Sequence, residues 1–214
     1  MERASRQEAE RLSRKGQQRV ERGYWPEAAD LFTSAIREAP DEPIYYYNLG
    51  LCIMQAAHVG VLVGGGIPAA VEHFRTAAGL KSNYAEAWLA LGNALSAFAT
   101  RPAKDPEETA VLVVFERGVL GALLLAMQTG RGGPVEDLAR QSLATFLRYK
   151  DWGPDVLRRP EMETYRLWTL GCCMAAKPDQ AHGTFFEDWQ RQQAGFERWL
   201  REHPPPGSQA VDGG

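Results

Sequence analysis

Residues 58–68 read HVGVLVGGGIP, four glycines set among aliphatics with no charged side chain. Glycine-rich loops can cradle phosphate because backbone N–H groups converge where no Cβ intervenes. That chemistry needs a preceding strand and a Gly-Lys-Ser/Thr ending. Here the preceding segment is helical in pattern, and Ile67 and Pro68 stand where the lysine and hydroxyl would be. Only the general preference of a helix N-terminus for anions remains. The four histidines, His58, His73, His182 and His203, share no spacing with one another or with cysteine that would hold a metal. Cys52, Cys172 and Cys173 form no CxxC pair and read as buried small hydrophobes, the adjacent two packed on an apolar helix rather than bridged. No GxSxG or HExxH motif and no positioned Cys/His pair is present. The expectation is a non-enzyme with no cofactor and no metal.

Bulk properties narrow the classes further. With 214 residues, 44% hydrophobic and 24% charged, the chain has the make-up of a globular protein with a sizeable core. A net charge of −3 gives no support to a nucleic-acid binder that neutralises phosphates. The opening MERASRQEAERLSRKG mixes both charge signs without an apolar segment, so neither a secretory signal nor an anchor is expected there. An odd number of cysteines without a framework suits a reducing, cytoplasmic setting.

The elements that must position any site are helices. Leu12, Lys15 and Gly16, then Ala28, Leu31, Phe32, Ala35 and Ile36, fall at i, i+3, i+4 and i+7 spacings, and strand patterns are almost absent. The chain also repeats. Gly16 and Gly50 lie 34 residues apart, whereas Tyr46/Trp88, Gly50/Gly92, Ala28/Ala70, Phe32/Phe74 and Ala35/Ala77 all differ by 42. A period of 34 is thus followed by the same period with eight residues inserted, and those eight fall in HVGVLVGGGIP. The glycine-rich stretch is therefore an expanded turn between two helices. Ile44 to Val71 carries no formal charge and is long enough for a bilayer span, but Gly64–Gly66 would make a poor helix end inside lipid.

Residues 12–40, LSRKGQQRVERGYWPEAADLFTSAIREAP, resemble a tetratricopeptide (TPR) unit. Gly16, Gly23, Trp25, Ala28, Phe32, Ala35 and Pro40 occupy positions where that family places Gly, Gly, Tyr, Ala, Phe, Ala and Pro. YYNLGLC (46–52) and WLALGNAL (88–95) repeat the first-helix signature, with Tyr46/Trp88, Leu49/Leu91 and Gly50/Gly92 in register. AAVEHFRTAAGL (69–80), with Ala70, Phe74 and Ala77, repeats the second. Lys15 and Ser82 depart from the pattern, standing where Leu and Pro belong.

The expected fold is an all-α, TPR-type helical-hairpin solenoid of about three repeats, 8–42, 43–83 and 84–130. In the third, Phe115 and Gly118 are expected to replace the Phe/Ala pair after a late start. Residues 131–203 read as a divergent helical region packing on or capping the array, with segments at 134–150, 161–176 and 182–203. Residues 204–214 read as a disordered tail.

The resemblance implies a function. TPR proteins hold a partner peptide or helix on the concave face lined by the first helices. In this register that face takes Gln17 from the first repeat, Tyr47, Asn48, Leu51, Met54 and Gln55 from the second, and Leu89 and Asn93 from the third. An apolar floor flanked by amides suits a peptide backbone. The carboxylate clamp of chaperone-binding TPR domains is not repeated. Of its positions, here Ser13, Gln17, Asn48, Glu86 and Ala90, only Asn48 agrees, and Glu86 would repel a carboxylate. The leading expectation is a scaffold or adaptor for a protein segment. The alternative is an accessory subunit at a membrane surface, docking through residues 58–68. An enzyme would need a polar pocket with converging titratable groups among the C-terminal helices.

Overall fold

The computed structural model describes residues 2–100 and 102–174, and the expected helix at 182–203 and the tail lie outside them. Every element described is helical, and the chain is all-α over these residues. The order is α1 (Glu2–Glu21), α2 (Trp25–Glu38), α3 (Pro43–His58), α4 (Ile67–Leu80), α5 (Ala85–Ala99), α6 (Pro106–Thr129), α7 (Pro134–Tyr149), a 3₁₀ turn (Pro154–Arg158) and α8 (Glu161–Met174).

Local chemistry sets the boundaries. Proline stands in the first turn of α2, α3, α4 and α7, where its fixed φ suits the helix and its missing N–H costs nothing. Three helices end in one way. After α1, Gly23 has φ +75° and the Tyr24 N–H donates to the Arg19 carbonyl at 2.9 Å. After α3, Gly60 has φ +77° and Val61 donates to Ala56 at 2.8 Å. After α7, Asp151 takes φ +55° and Trp152 donates to Leu147 at 2.9 Å. Each is a left-handed residue closing the last turn, followed by a large apolar or aromatic side chain.

Consecutive helices pack in antiparallel pairs, and the repeated glycines are the points of closest approach. A Cβ built on Gly16 would stand 2.8 Å from the Phe32 ring, and one on Gly50 would stand 2.6 Å from the Phe74 ring. Ala28, Ala35, Ala70 and Ala77 are fully buried along the same seams. The 42-residue offset extends to hydrogen bonds. The Tyr46 hydroxyl donates to the Pro40 carbonyl at 3.1 Å, and Trp88 Nε1 donates to the Ser82 carbonyl at 2.8 Å. Ser82 can replace proline because the aromatic side chain needs only the carbonyl there.

The α5–α6 pair corrects one expectation. The side chain against Gly92 is Leu123, 2.7 Å from a built Cβ, and not Phe115. Phe115 instead stacks on Phe98, with centroids 5.2 Å apart and planes 15° from parallel. Ala126, one turn beyond Leu123, is fully buried, so the small-residue position also lies later than Gly118. The extra chain of this pair is therefore largely helical, lengthening α6, whereas in the α3–α4 pair it forms a loop.

Beyond α6 the pattern changes. α7 packs on α6 and α5, whereas α8 turns back across α6 and α4. At Gly121 a built Cβ would collide with the Tyr165 carbonyl and the Thr169 side chain, so glycine is what lets α6 and α8 touch. α6 is packed by α5, α7 and α8, and one core cluster runs from Ala28 to Cys173. Leu112–Thr129 within α6 is long and apolar enough to cross a membrane, yet 56% of that window is buried inside the fold.

Candidate functional site

The first helices α1, α3 and α5 carry the residues expected to form the binding face. Gln17, Gln55 and Asn93 are exposed, one on each helix. Tyr47, Asn48, Leu51 and Met54 on α3 and Leu89 on α5 are half-buried. The four apolar ones lie against the core, so the face is a polar-edged strip over a packed seam. Tyr47 is held by two rings: Tyr84 at 5.2 Å and Phe74 at 6.0 Å between centroids. Burial, then the charge of Glu86, raises the Tyr47 phenol pKa. Burial also raises that of Tyr84, with lesser help from Tyr47 and Glu86. Both remain neutral hydroxyls, able to donate and accept. Tyr84 was not among the residues read from sequence. It sits one residue before α5, outside the helical register that identified the others, and Lys81 lies over its ring at 5.3 Å. A cavity of about 440 Å³ also opens on this side, between Glu10 and Ser13 of α1 and Ile44 and Tyr45 of α3. Arg6, at its edge, is paired with Asp41 at 2.9 Å.

The glycine-rich segment is a structured loop. Val63 is buried, and the Gly66 N–H donates to its carbonyl at 2.9 Å. Gly64, Gly65 and Gly66 all have positive φ, at +55°, +91° and +70°, a run that side-chain-bearing residues would hold only under strain. With Val63 turned in, Val59, Val61 and Leu62 are left facing out, 58%, 36% and 82% exposed. Behind the loop lies a cavity of about 510 Å³ between α2, α3 and α4, where Leu62, Val63 and Gly64 meet Ala29, Ile53 and His73. Burial lowers the His73 imidazole to about 4, so it is neutral at physiological pH. Cys52 is buried, its thiol pushed up to about 11 by desolvation, and its Sγ donates to the Trp25 carbonyl at 3.3 Å. Such a thiol is a packing group rather than a nucleophile.

A third cavity, of about 570 Å³, lies between α6, the 3₁₀ turn and α8. Arg117 and Arg159 reach it, with Trp152 and Tyr165 as aromatic walls and Asp151, Asp155 and Glu161 at its edge. Arg117 stands 5.7 Å from the Tyr165 ring centroid, and Glu116 is ion-paired with Lys150. Titratable groups thus converge among the C-terminal helices. Among the described lining residues, however, there is no Ser, Thr, Cys or His to act as nucleophile or proton shuttle. Among the described residues, no group of three His, Cys, Asp or Glu could hold a metal ion.

Comparison with family models, with curated proteins and with solved structures finds no match to the chain.

Proposed function

We propose that this chain is a TPR-type, non-catalytic scaffold that binds an extended or helical protein segment across its first helices. What carries the reading is the face itself. Exposed amides on three successive first helices, Gln17, Gln55 and Asn93, border a half-buried apolar strip of Tyr47, Leu51, Met54 and Leu89. Amides offer donor and acceptor to a peptide backbone, and the strip offers apolar contact to alternate side chains. Among the described elements, α8 packs on α4 and α6, the second-helix side, rather than on this face. The setting is cytoplasmic, in keeping with a buried, protonated Cys52 thiol. No nucleic acid is part of the reading.

The test uses exposed positions, since Tyr47 is part of the α3–α4–α5 packing. Gln55→Arg/Asn93→Arg should keep the helical circular dichroism and lose the proteins retained by wild type in a quantitative pull-down. Glu38→Arg, an exposed position on α2, should keep them. Retention of the same proteins by Gln55→Arg/Asn93→Arg counts against the reading.

A second reading rests on Val59, Val61 and Leu62, three exposed aliphatics at one loop tip. Such a tip can enter the interfacial region of a bilayer, which makes the chain an accessory subunit at a membrane surface. Co-sedimentation with phosphatidylcholine/phosphatidylserine vesicles that vanishes in Val59→Ser/Leu62→Ser supports it. Absence of wild-type co-sedimentation ends it.

A further inference from the structure

Among the described residues, the second-helix side of the molecule, formed by α2, α4 and α6, is only partly covered. α8 lies over its α6 end and part of α4. Over α2 and α4 there remains the cavity of about 510 Å³ behind the glycine-rich loop. Its size falls within the roughly 300–1,000 Å³ of pockets that enclose a ligand or large side chains. The walls include Ala29, Ile36, Leu49, Ile53 and Val63, with Asp30, Thr33 and His73 supplying the polar groups. The occupant that fits is therefore a large apolar group with one hydrogen-bond donor.

The sequence supplies one in reach. α8 is engaged on α6 through Met162 and Tyr165, which share the C-terminal cavity with Leu120, and through Thr169 at Gly121. It also packs on α4 and ends at Met174. After ten intervening residues comes Phe185, followed by Trp189, Phe196, Trp199 and Leu200, most of them at helical spacing. Ten extended residues reach up to about 33 Å, and neighbouring helices are only about 8–10 Å apart.

We infer that residues 185–200 of this same chain dock on the α2–α4 face, an indole entering the cavity behind the glycine-rich loop. The indole N–H is a donor without acceptor capacity, and Asp30, Thr33 and the neutral His73 ring each offer an acceptor. The tether favours the chain's own segment over a second copy, because a short covalent connection gives an effective concentration in the millimolar range. The glycines have a role here too. A loop whose backbone is free of Cβ at three successive positions can shift Leu62 and Val63 to admit the ring.

The experiment is hydrogen exchange by mass spectrometry on the full chain. Trp189→Ala/Trp199→Ala should quicken exchange in residues 26–36 and 61–73 about tenfold or more, while α6 and α7 keep wild-type protection. Unchanged protection at 26–36 and 61–73 overturns the proposal. So does wild-type protection there that fades on dilution as a dimer dissociates, which would identify a second copy as the occupant. If the double variant loses its helicity, Ala29→Trp replaces it, filling the cavity from within. That variant should stay folded and quicken exchange across 185–200, and unchanged exchange across 185–200 overturns the proposal.

Discussion

A methyl group at Gly50 would stand 2.6 Å from the Phe74 ring, and neither partner has room to retreat, since Phe74 is 1% exposed. Gly50→Ala should therefore cost on the order of 1–3 kcal/mol by overpacking, read as a lower melting temperature. Adding Phe74→Leu should restore part of that loss. Gly23 makes the opposite case. No atom lies within 4 Å of its built Cβ, so Gly23→Ala is opposed only by φ +75°, a cost of about 1–2 kcal/mol. His73 brings pH into the account. Its folded pKa, about 4, lies below the ordinary 6.5, so the unfolded chain binds the proton more readily. The stability tied to a neutral His73 is complete above about pH 6.5 and is lost as pH falls toward 4, at no more than about 1.4 kcal/mol per unit. Partial exposure of the ring reduces that slope. His73→Gln should flatten the profile in that window, and an unaltered profile would mean the ring is not desolvated. Gly23 was placed by the resemblance of residues 12–40, and the close approach at Gly50 was legible in the sequence because identity and spacing agreed across copies. The burial of His73 was not, since a lone histidine on a helix gives no sign of what lies across from it.

At the scale of elements, α6 shows why part of the fold escaped the sequence. It is largely apolar because α5, α7 and α8 all pack on it, and a helix packed on several sides has little polar face to set its phase. Phe115 was the natural choice opposite Gly92, yet the length of an insertion is not encoded in local pattern, and Leu123 took the place. The path of α8 was equally hidden. It is fixed by Gly121, where any Cβ meets both the Thr169 side chain and the Tyr165 backbone carbonyl of α8. Gly121→Ala should accordingly free α8 while sparing the α1–α4 packing. Limited proteolysis should then cut within 161–174 at least about tenfold faster than in wild type, with the protection of α1–α4 in hydrogen exchange unchanged. Equal cleavage rates would mean that α8 is held by other contacts.

At the scale of the whole molecule, the two sides do different work on the proposed reading. The proposed first-helix face was legible in outline, because the repeat register places Gln17, Leu51 and Asn93 at equivalent points, with Gln55 one turn beyond Leu51. Tyr84 was not, because it lies between helices and meets the face through a tilted ring contact with Tyr47. The second-helix side could not be read at all, since cavities arise from how separate pairs meet and not from any one of them. The most direct measurement of the central claim is site-specific photocrosslinking in cells, with a photoreactive residue placed singly at Gln55, Asn93, Thr33 and Leu62. If the first helices hold a partner, Gln55 and Asn93 will both crosslink to the same segment of the same protein, and Thr33 and Leu62 will not. Crosslinking of partners from Thr33 or Leu62 alone would contradict the account and move the binding surface to the other side of the molecule.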